Sequence, residues 1–178
     1  MRGVVFREDR ILLVRERAAL ITGTADATMT RDQGWQFIML GRMLERADMT
    51  SRLVATTAMS SGSDQWTSAL RATGGYDAFL RTYRGIETDR TAAEFLLLDR
   101  LFPRSIIYSI QRAEECMSAI DPRADRVGHS NTVLRALGQI RNDLEYRPIS
   151  EILNELPQHM QRVQTVTREA SEAIRGRF

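Results

Sequence analysis

A band of charged residues near the end of the first third of the chain carries side chains that bind anions. Arg42, Glu45, Arg46, Asp48 and Arg52 lie close together in the sequence. Three- and four-residue steps return to one side of an α-helix, so the spacing places these five side chains on one broad helix face. Guanidinium groups bind carboxylate oxygens through parallel hydrogen bonds. The functional interpretation is a pocket for an anion or a peptide carboxylate, in which the two acids orient the arginines.

The same band also has a structural interpretation that requires no ligand. We expect Glu45 to lie within reach of Arg42 and Arg52, and Asp48 to pair with Arg52 one turn away. A helix that is apolar over most of its circumference is usually largely buried, and buried charges must be paired. The band is then either a buried ion-pair network that fixes helix register or a surface lattice of salt bridges. The apolar positions that predict burial are Phe37, Leu40, Leu44, Ala47 and Val54, widened by Met39, Met43 and Leu53.

A second group of polar residues lies where one predicted helix ends and the next begins. It contains Glu94, Asp99, Arg100, Arg104 and, beyond these, Ser105 and Tyr108. A helix N-terminus presents free N–H groups and a positive dipole end, so an anion can rest there. The commoner alternative is that Asp99 or Glu94 folds back to cap that helix.

Other catalytic and metal-binding chemistry finds little support in the sequence. Cys116, His129 and His159 are too few for a zinc cluster, and no Glu-x-x-His pair or glycine-rich phosphate loop is present. We therefore predict no metal, no cofactor and no catalytic residue. The alternative is an enzyme of peptide bond formation or cleavage that uses Glu45 or Glu94 as acid and base.

Composition limits the partners. The formal net charge is +2, and the 25 basic residues, all arginine, form no concentrated basic arm or stripe, so nucleic acid is not the expected partner. The terminal arginines Arg175 and Arg177 are read as solvated. No signal peptide or apolar run of membrane-spanning length is visible. We expect a cytoplasmic protein without a membrane partner.

Periodicity predicts an all-α fold, a single bundle of about five to seven helices with one long central helix, over residues 1–178 as one domain. The first helix is predicted over Phe6–Ile21 and ends at Gly23. The long helix is predicted over Arg31–Met59, and Thr30 with Gln33 forms its capping box. Gly74-Gly75 separates two short helices.

The later helices are predicted from N-cap residues and prolines. Further helices are predicted over Thr88–Arg100, over Pro103–Ile120 with the proline in the first turn, and over Asp125–Tyr146. Pro157 then divides the end of the chain into a short turn and a long terminal helix. In that helix, apolar residues spaced by three and four predict a seam against a neighbouring helix.

Two stretches resemble a known family. Residues 26–53, which include Gly41-Arg42-Met43-Leu44-Glu45-Arg46-Ala47-Asp48, and residues 94–105, which include Phe102-Pro103-Arg104-Ser105, look like the bacterial alpha-E proteins, a domain of unknown function. The resemblance implies an α-helical protein associated with ATP-grasp peptide ligases and transglutaminase-like proteins, and so a role in making or processing a peptide. Alpha-E proteins are commonly about twice as long, and this chain resembles their C-terminal half.

That difference in length implies a partner. If two similar halves normally assemble one core, a single half leaves an apolar face uncovered, and large exposed apolar faces mark interaction surfaces. We therefore expect a homo-oligomer, or docking onto a companion protein such as an ATP-grasp ligase or the missing N-terminal half. The preferred function is a non-catalytic accessory or binding module, in which Arg42, Arg46 and Arg52 hold a carboxylate. A purely structural oligomerisation bundle is the remaining alternative.

Overall fold

The computed structural model describes residues 5–60, 64–86, 88–122 and 126–178. Within these ranges the chain forms nine α-helices and no strand, which confirms the all-α prediction. Three short helices raise the number above the five to seven expected. The helices are α1 Val5–Thr28, α2 Gln33–Met59, α3 Gln65–Ala72, α4 Tyr76–Tyr83, α5 Asp89–Leu98, α6 Ile106–Ile120, α7 Thr132–Tyr146, α8 Ile149–Asn154 and α9 Leu156–Arg177.

The chain divides into two compact units, Met1–Trp35 and Gln36–Phe178. In the first unit, α1 continues through Gly23, so the predicted end there is wrong. One glycine in a helix interior costs only about 1 kcal/mol relative to alanine, which the rest of a long helix offsets.

The N–H of Trp35 donates to Asp32 Oδ1 over 3.2 Å, so Asp32 caps the start of α2. The expected capping box of Thr30 is therefore replaced by a neighbouring acid.

The second unit contains the main apolar core. Phe95 of α5 is buried, lies edge-on to Phe79 at 5.7 Å and stacks on Phe102 at 4.8 Å. Gly75 permits this packing, because a Cβ there would lie 2.7 Å from Phe102 Cζ. Other buried core positions line α2, α6, α7 and α9, including Leu40, Leu44, Val54, Ile110, Met117, Leu137, Leu144, Met160 and Val163.

Two helix starts differ from the prediction. α6 begins at Ile106 rather than Pro103, because the Ser105 hydroxyl accepts the N–H of Tyr108 and ends the preceding turn. α7 begins at Thr132, where Asn131 Oδ1 accepts two backbone N–H groups. The predicted start at Asp125 lies outside the described residues. In both cases a strong N-cap side chain sets the boundary.

The end of the chain agrees with the prediction. α8 is short, and Pro157 stands in the first turn of α9, where its missing N–H costs no intrahelical bond. The predicted seam is buried at Met160, Val163, Thr167 and Ala170. Within the described residues, no helix is long and apolar enough to cross a membrane.

Candidate functional site

An open groove runs between α2 and α9 in the second unit, with a volume of 540 Å³. Near one end of these helices, the ring of Phe37 packs edge-on against that of Phe178 with 5.0 Å between ring centroids. Phe37 of α2 therefore lies beside the end of α9. We call this cavity the α2–α9 groove. Its lining residues are Gly41, Leu44, Glu45, Asp48 and Arg52 of α2, and Gln161, Gln164, Thr165, Thr167, Arg168, Ser171, Glu172 and Arg175 of α9.

Asp48 and Arg52 form the predicted ion pair on the α2 side of the groove. Arg52 Nε and Nη2 donate to the two carboxylate oxygens of Asp48 over 2.8 and 3.1 Å. The hydrogen bond and the charge of Asp48 raise the pKa of Arg52. The pair is not interior, since the Arg52 side chain is 60% exposed. Arg52 is thus already neutralised and is not available to hold a ligand alone.

Four further charges line the groove without such a pair. Glu45, Arg168, Glu172 and Arg175 are exposed, and none makes a hydrogen bond or an ion pair with another described residue. The prediction that the band is buried is therefore wrong for Glu45, as is its expected pairing with Arg42 and Arg52. Two carboxylates and two guanidiniums remain free to meet a ligand.

The α9 side of the groove was missed by the sequence reasoning. Arg168 did not stand out, and Arg175 was assigned to a solvated tail. A usable signal was present, because Arg168, Glu172 and Arg175 follow the same three- and four-residue steps as the buried seam, displaced to its edge. Residues at the edge of a helix seam line whatever groove the two helices leave open.

Arg42 and Arg46 belong to a different surface from Glu45 and Arg52. Neither lines the α2–α9 groove. Burial, then the positive charges of Arg104 and Arg42, lower the pKa of Arg46, whereas the charges of Glu45 and Tyr108 oppose that shift. The structure therefore splits the predicted band between two surfaces of α2.

The second predicted group is also divided. Asp99 Oδ1 accepts the N–H groups of Leu101 and Phe102 over 2.8 and 2.7 Å, so it closes the turn before α6 and does not cap the helix itself. Burial, then the charges of Glu94 and Asp99, raise the pKa of Tyr83 to about 12. Glu94 and Asp99 thus lie near Tyr83, away from the groove lining.

Arg104 of that group lies against α2, because its carbonyl oxygen accepts a hydrogen bond of 2.9 Å from Thr50 Oγ1. Arg100, in contrast, pairs with Glu145 of α7. The segment between α5 and α6 therefore contacts α2 through the backbone of Arg104 and α7 through the side chain of Arg100.

The groups that line the groove are suited to hydrogen bonding and ion pairing. Among the described residues, no set of three His, Cys, Asp or Glu side chains is placed to hold a metal ion. Cys116 is buried in α6, and burial raises its pKa, which disfavours the nucleophilic thiolate. The groove instead offers charges of both signs beside amides and hydroxyls, which are groups that bind by hydrogen bonding.

Comparison with known proteins identifies a family but no individual relative. No curated protein and no solved structure matches the chain. The Alpha-E family, described as a predicted alpha-helical domain with a conserved ER motif, matches residues 3–178. The chain contains two Glu-Arg pairs followed by alanine, Glu16-Arg17 and Glu45-Arg46. With the match spanning nearly every residue, this all-α chain belongs to the Alpha-E family.

Proposed function

We propose that this Alpha-E chain is a binding module that holds a short peptide with free termini in the α2–α9 groove. The observation that carries the proposal is the set of four exposed, unpaired charges, two of each sign, along one open cavity. A peptide with free termini carries one carboxylate and one ammonium group, which match guanidinium and carboxylate partners respectively.

The roles of the lining residues follow from their chemistry. Arg168 and Arg175 bind the peptide carboxylate, and Glu45 and Glu172 bind the ammonium group. The amides of Gln161 and Gln164, with nearby hydroxyls, are available to the peptide backbone. The volume of 540 Å³ lies within the range of about 300–1,000 Å³ that is typical of small-molecule sites.

Membership of the family suggests where the bound peptide goes. The resemblance seen in the sequence implies that Alpha-E proteins are associated with ATP-grasp peptide ligases and transglutaminase-like proteins, and we propose that the groove presents a peptide to such a companion enzyme. Arg52 is paired with Asp48, so Glu45 on the same wall of the groove makes no ion pair with Arg52 and stays exposed.

Calorimetric titration with tetra-alanine tests the proposal. The peptide with free termini should bind, and its N-acetylated, C-amidated form, which lacks both terminal charges, should not. Arg168→Gln or Glu172→Gln should weaken binding at least tenfold. Neither change should alter the free energy of unfolding by more than about 0.5 kcal/mol, because both side chains are exposed.

Arg135→Gln is the matched control, since Arg135 is an exposed arginine of α7 outside the groove lining. Equal binding of the free and the blocked peptide would contradict the proposal, as would full affinity in the Arg168→Gln variant. Turnover of a peptide that disappears in Glu45→Gln while binding persists would instead favour the enzyme alternative.

A further inference from the structure

A second open cavity, with a volume of 530 Å³, lies between α7 and α9. We call it the α7–α9 cavity. Gln161 and Thr165 of α9 line both this cavity and the α2–α9 groove. These two residues stand one helix turn apart, so they form a shared border along α9 where the two spaces meet. Thr165 is short and half-buried, so it obstructs little of that border. A side chain of a peptide in the groove can therefore reach the second cavity.

The α7–α9 cavity has an apolar part, which suits a methylene chain. Ala136 and Ile140 of α7 and Val166 of α9 contribute apolar side chains to its lining. Ile140 is buried, whereas Ala136 and Val166 are half-buried and keep some surface in contact with water. Covering apolar surface with a methylene chain removes both from water, which favours binding. The cavity therefore fits the stem of a long side chain.

The two acids that line the α7–α9 cavity differ in their partners. Arg147 Nε donates to Asp143 Oδ1 over 3.1 Å. His159 Nδ1 and Arg162 Nη1 lie 3.3 and 3.6 Å from Asp143 Oδ2, so this carboxylate is surrounded. Glu169, by contrast, is exposed and makes no hydrogen bond or ion pair with another described residue. The lining therefore offers the carboxylate of Glu169 to a cation, while Arg162 is held beside Asp143.

We propose that the α7–α9 cavity receives a long cationic side chain, such as that of lysine, from the peptide held in the α2–α9 groove, an inference that rests on the proposed function. The side chain crosses the border at Thr165, lays its apolar stem against Ile140 and Val166, and places its ammonium group at Glu169. Thr165 and Glu169 stand one turn apart, about 6 Å along the helix axis, a separation that lysine and glutamate side chains bridge on helix surfaces. The two spaces together therefore select peptides with a basic residue.

Calorimetric titration of the full chain with substituted tetra-alanines, all with free termini, tests the inference. Lysine replaces alanine at the second or the third position, and norleucine, which has the apolar stem without the charge, replaces it in a matched pair of peptides. At one of these positions, the lysine peptide should bind about tenfold more tightly than tetra-alanine, with the norleucine peptide between them. Glu169→Gln should remove the advantage of lysine over norleucine and leave the affinity for tetra-alanine unchanged. Because Glu169 is exposed, this variant should fold as the unaltered chain does.

The matched control is Glu155→Gln, because Glu155 is an exposed glutamate that lines neither the groove nor the α7–α9 cavity. This variant should bind every peptide as the unaltered chain does. The two proposals fail in different ways. If tetra-alanine does not bind, the proposed function is wrong and this inference falls with it. If tetra-alanine binds but lysine has no advantage over norleucine at either position, only the inference is overturned. An advantage of lysine that persists in Glu169→Gln would place the ammonium group elsewhere and would also overturn it.

Discussion

Arg141 of α7 joins three helical segments through ion pairs, which makes its removal a quantitative test of the packing. Its Nε lies 2.7 Å from Glu114 Oε2 in α6, and its Nη1 lies 2.9 Å from Glu145 Oε2 one turn along α7. Glu145 also pairs with Arg100, after the end of α5. The side chains of Arg141, Glu114 and Glu145 are 28%, 20% and 11% exposed. These pairs are therefore intermediate between surface and interior.

The substitution Arg141→Met keeps an apolar stem and removes the charge with both hydrogen bonds. Exposed ion pairs contribute about 0–1 kcal/mol, and breaking a fully buried pair costs about 3–5 kcal/mol. With this intermediate exposure, we expect the free energy of unfolding at pH 7 to fall by about 2 kcal/mol. For a chain of this length, that corresponds to a decrease in unfolding temperature of about 4–8 °C.

The pH dependence supplies a second, independent check. Burial raises the pKa of Glu114 above its ordinary value of 4.5, although the charge and hydrogen bond of Arg141 oppose that shift. A carboxyl whose folded-state pKa is raised favours folding below its unfolded pKa, and that contribution is lost as the pH rises through the folded pKa. Because Arg141 opposes the upward shift of the Glu114 pKa, removing Arg141 makes that shift larger. The deficit of Arg141→Met should therefore be full at pH 7 and shrink as the pH falls towards 4.5.

Urea unfolding at 25 °C, at pH 7 and at pH 4.5, measures both effects. The control is Arg112→Met in α6, which removes an ion pair to Glu115 whose side chains are 41% and 59% exposed. That variant should change the free energy of unfolding by less than about 0.5 kcal/mol. A loss equal to that of the control, or a deficit of Arg141→Met that is the same at both pH values, would refute the reasoning.

Three further predictions concern packing and capping in the second unit. Burial opposes ionisation of Asp143, but Arg147 and then His159, whose Nδ1 lies 3.3 Å from Asp143 Oδ2, hold the pKa of Asp143 below its ordinary value. At neutral pH, Asp143→Asn should therefore lower the free energy of unfolding by about 1–2 kcal/mol. That difference should be lost as the pH falls through the folded pKa, as urea unfolding would show. Gly75→Ala should lower the free energy of unfolding by about 1–3 kcal/mol, because the added Cβ would lie 2.7 Å from the ring of Phe102. Thermal unfolding measures this loss. Asn131→Ala should cost about 1–2 kcal/mol through loss of the α7 cap, and a variant with unchanged unfolding temperature would contradict this.

The helices could be predicted because their signals are local. The apolar period of α9 and the break at Gly74-Gly75 act over a few residues, and the structure contains both. The predicted helix boundaries were wrong where two local sequence signals competed. Pro103 suits a first helical turn, but Ser105 two residues later supplies a cap hydroxyl, and the hydrogen bond to Tyr108 decided the start of α6.

The candidate sites were only half predictable, because a helix period assigns side chains to a face without naming what packs beside it. The sequence placed Glu45, Arg46 and Arg52 on one broad side of α2. In the structure, the groove beside α9 takes Glu45 and Arg52, and the turn before α6 brings Arg104 against α2. These neighbours are distant in sequence, and their arrival depends on core packing that no local pattern specifies.

The Glu45-Arg46 pair shows why this division matters for the Glu-Arg motif named in the family's description. Neighbouring residues of an α-helix point about 100° apart, so adjacent opposite charges are not arranged to pair with each other. Here Glu45 lines the groove, whereas Arg46 does not. Under the proposed function, Glu45→Gln should therefore weaken the binding of tetra-alanine with free termini at least tenfold, and Arg46→Gln should leave that affinity unchanged. Calorimetric titration measures both affinities, and loss of peptide binding in the Arg46→Gln variant would contradict this assignment of the two side chains.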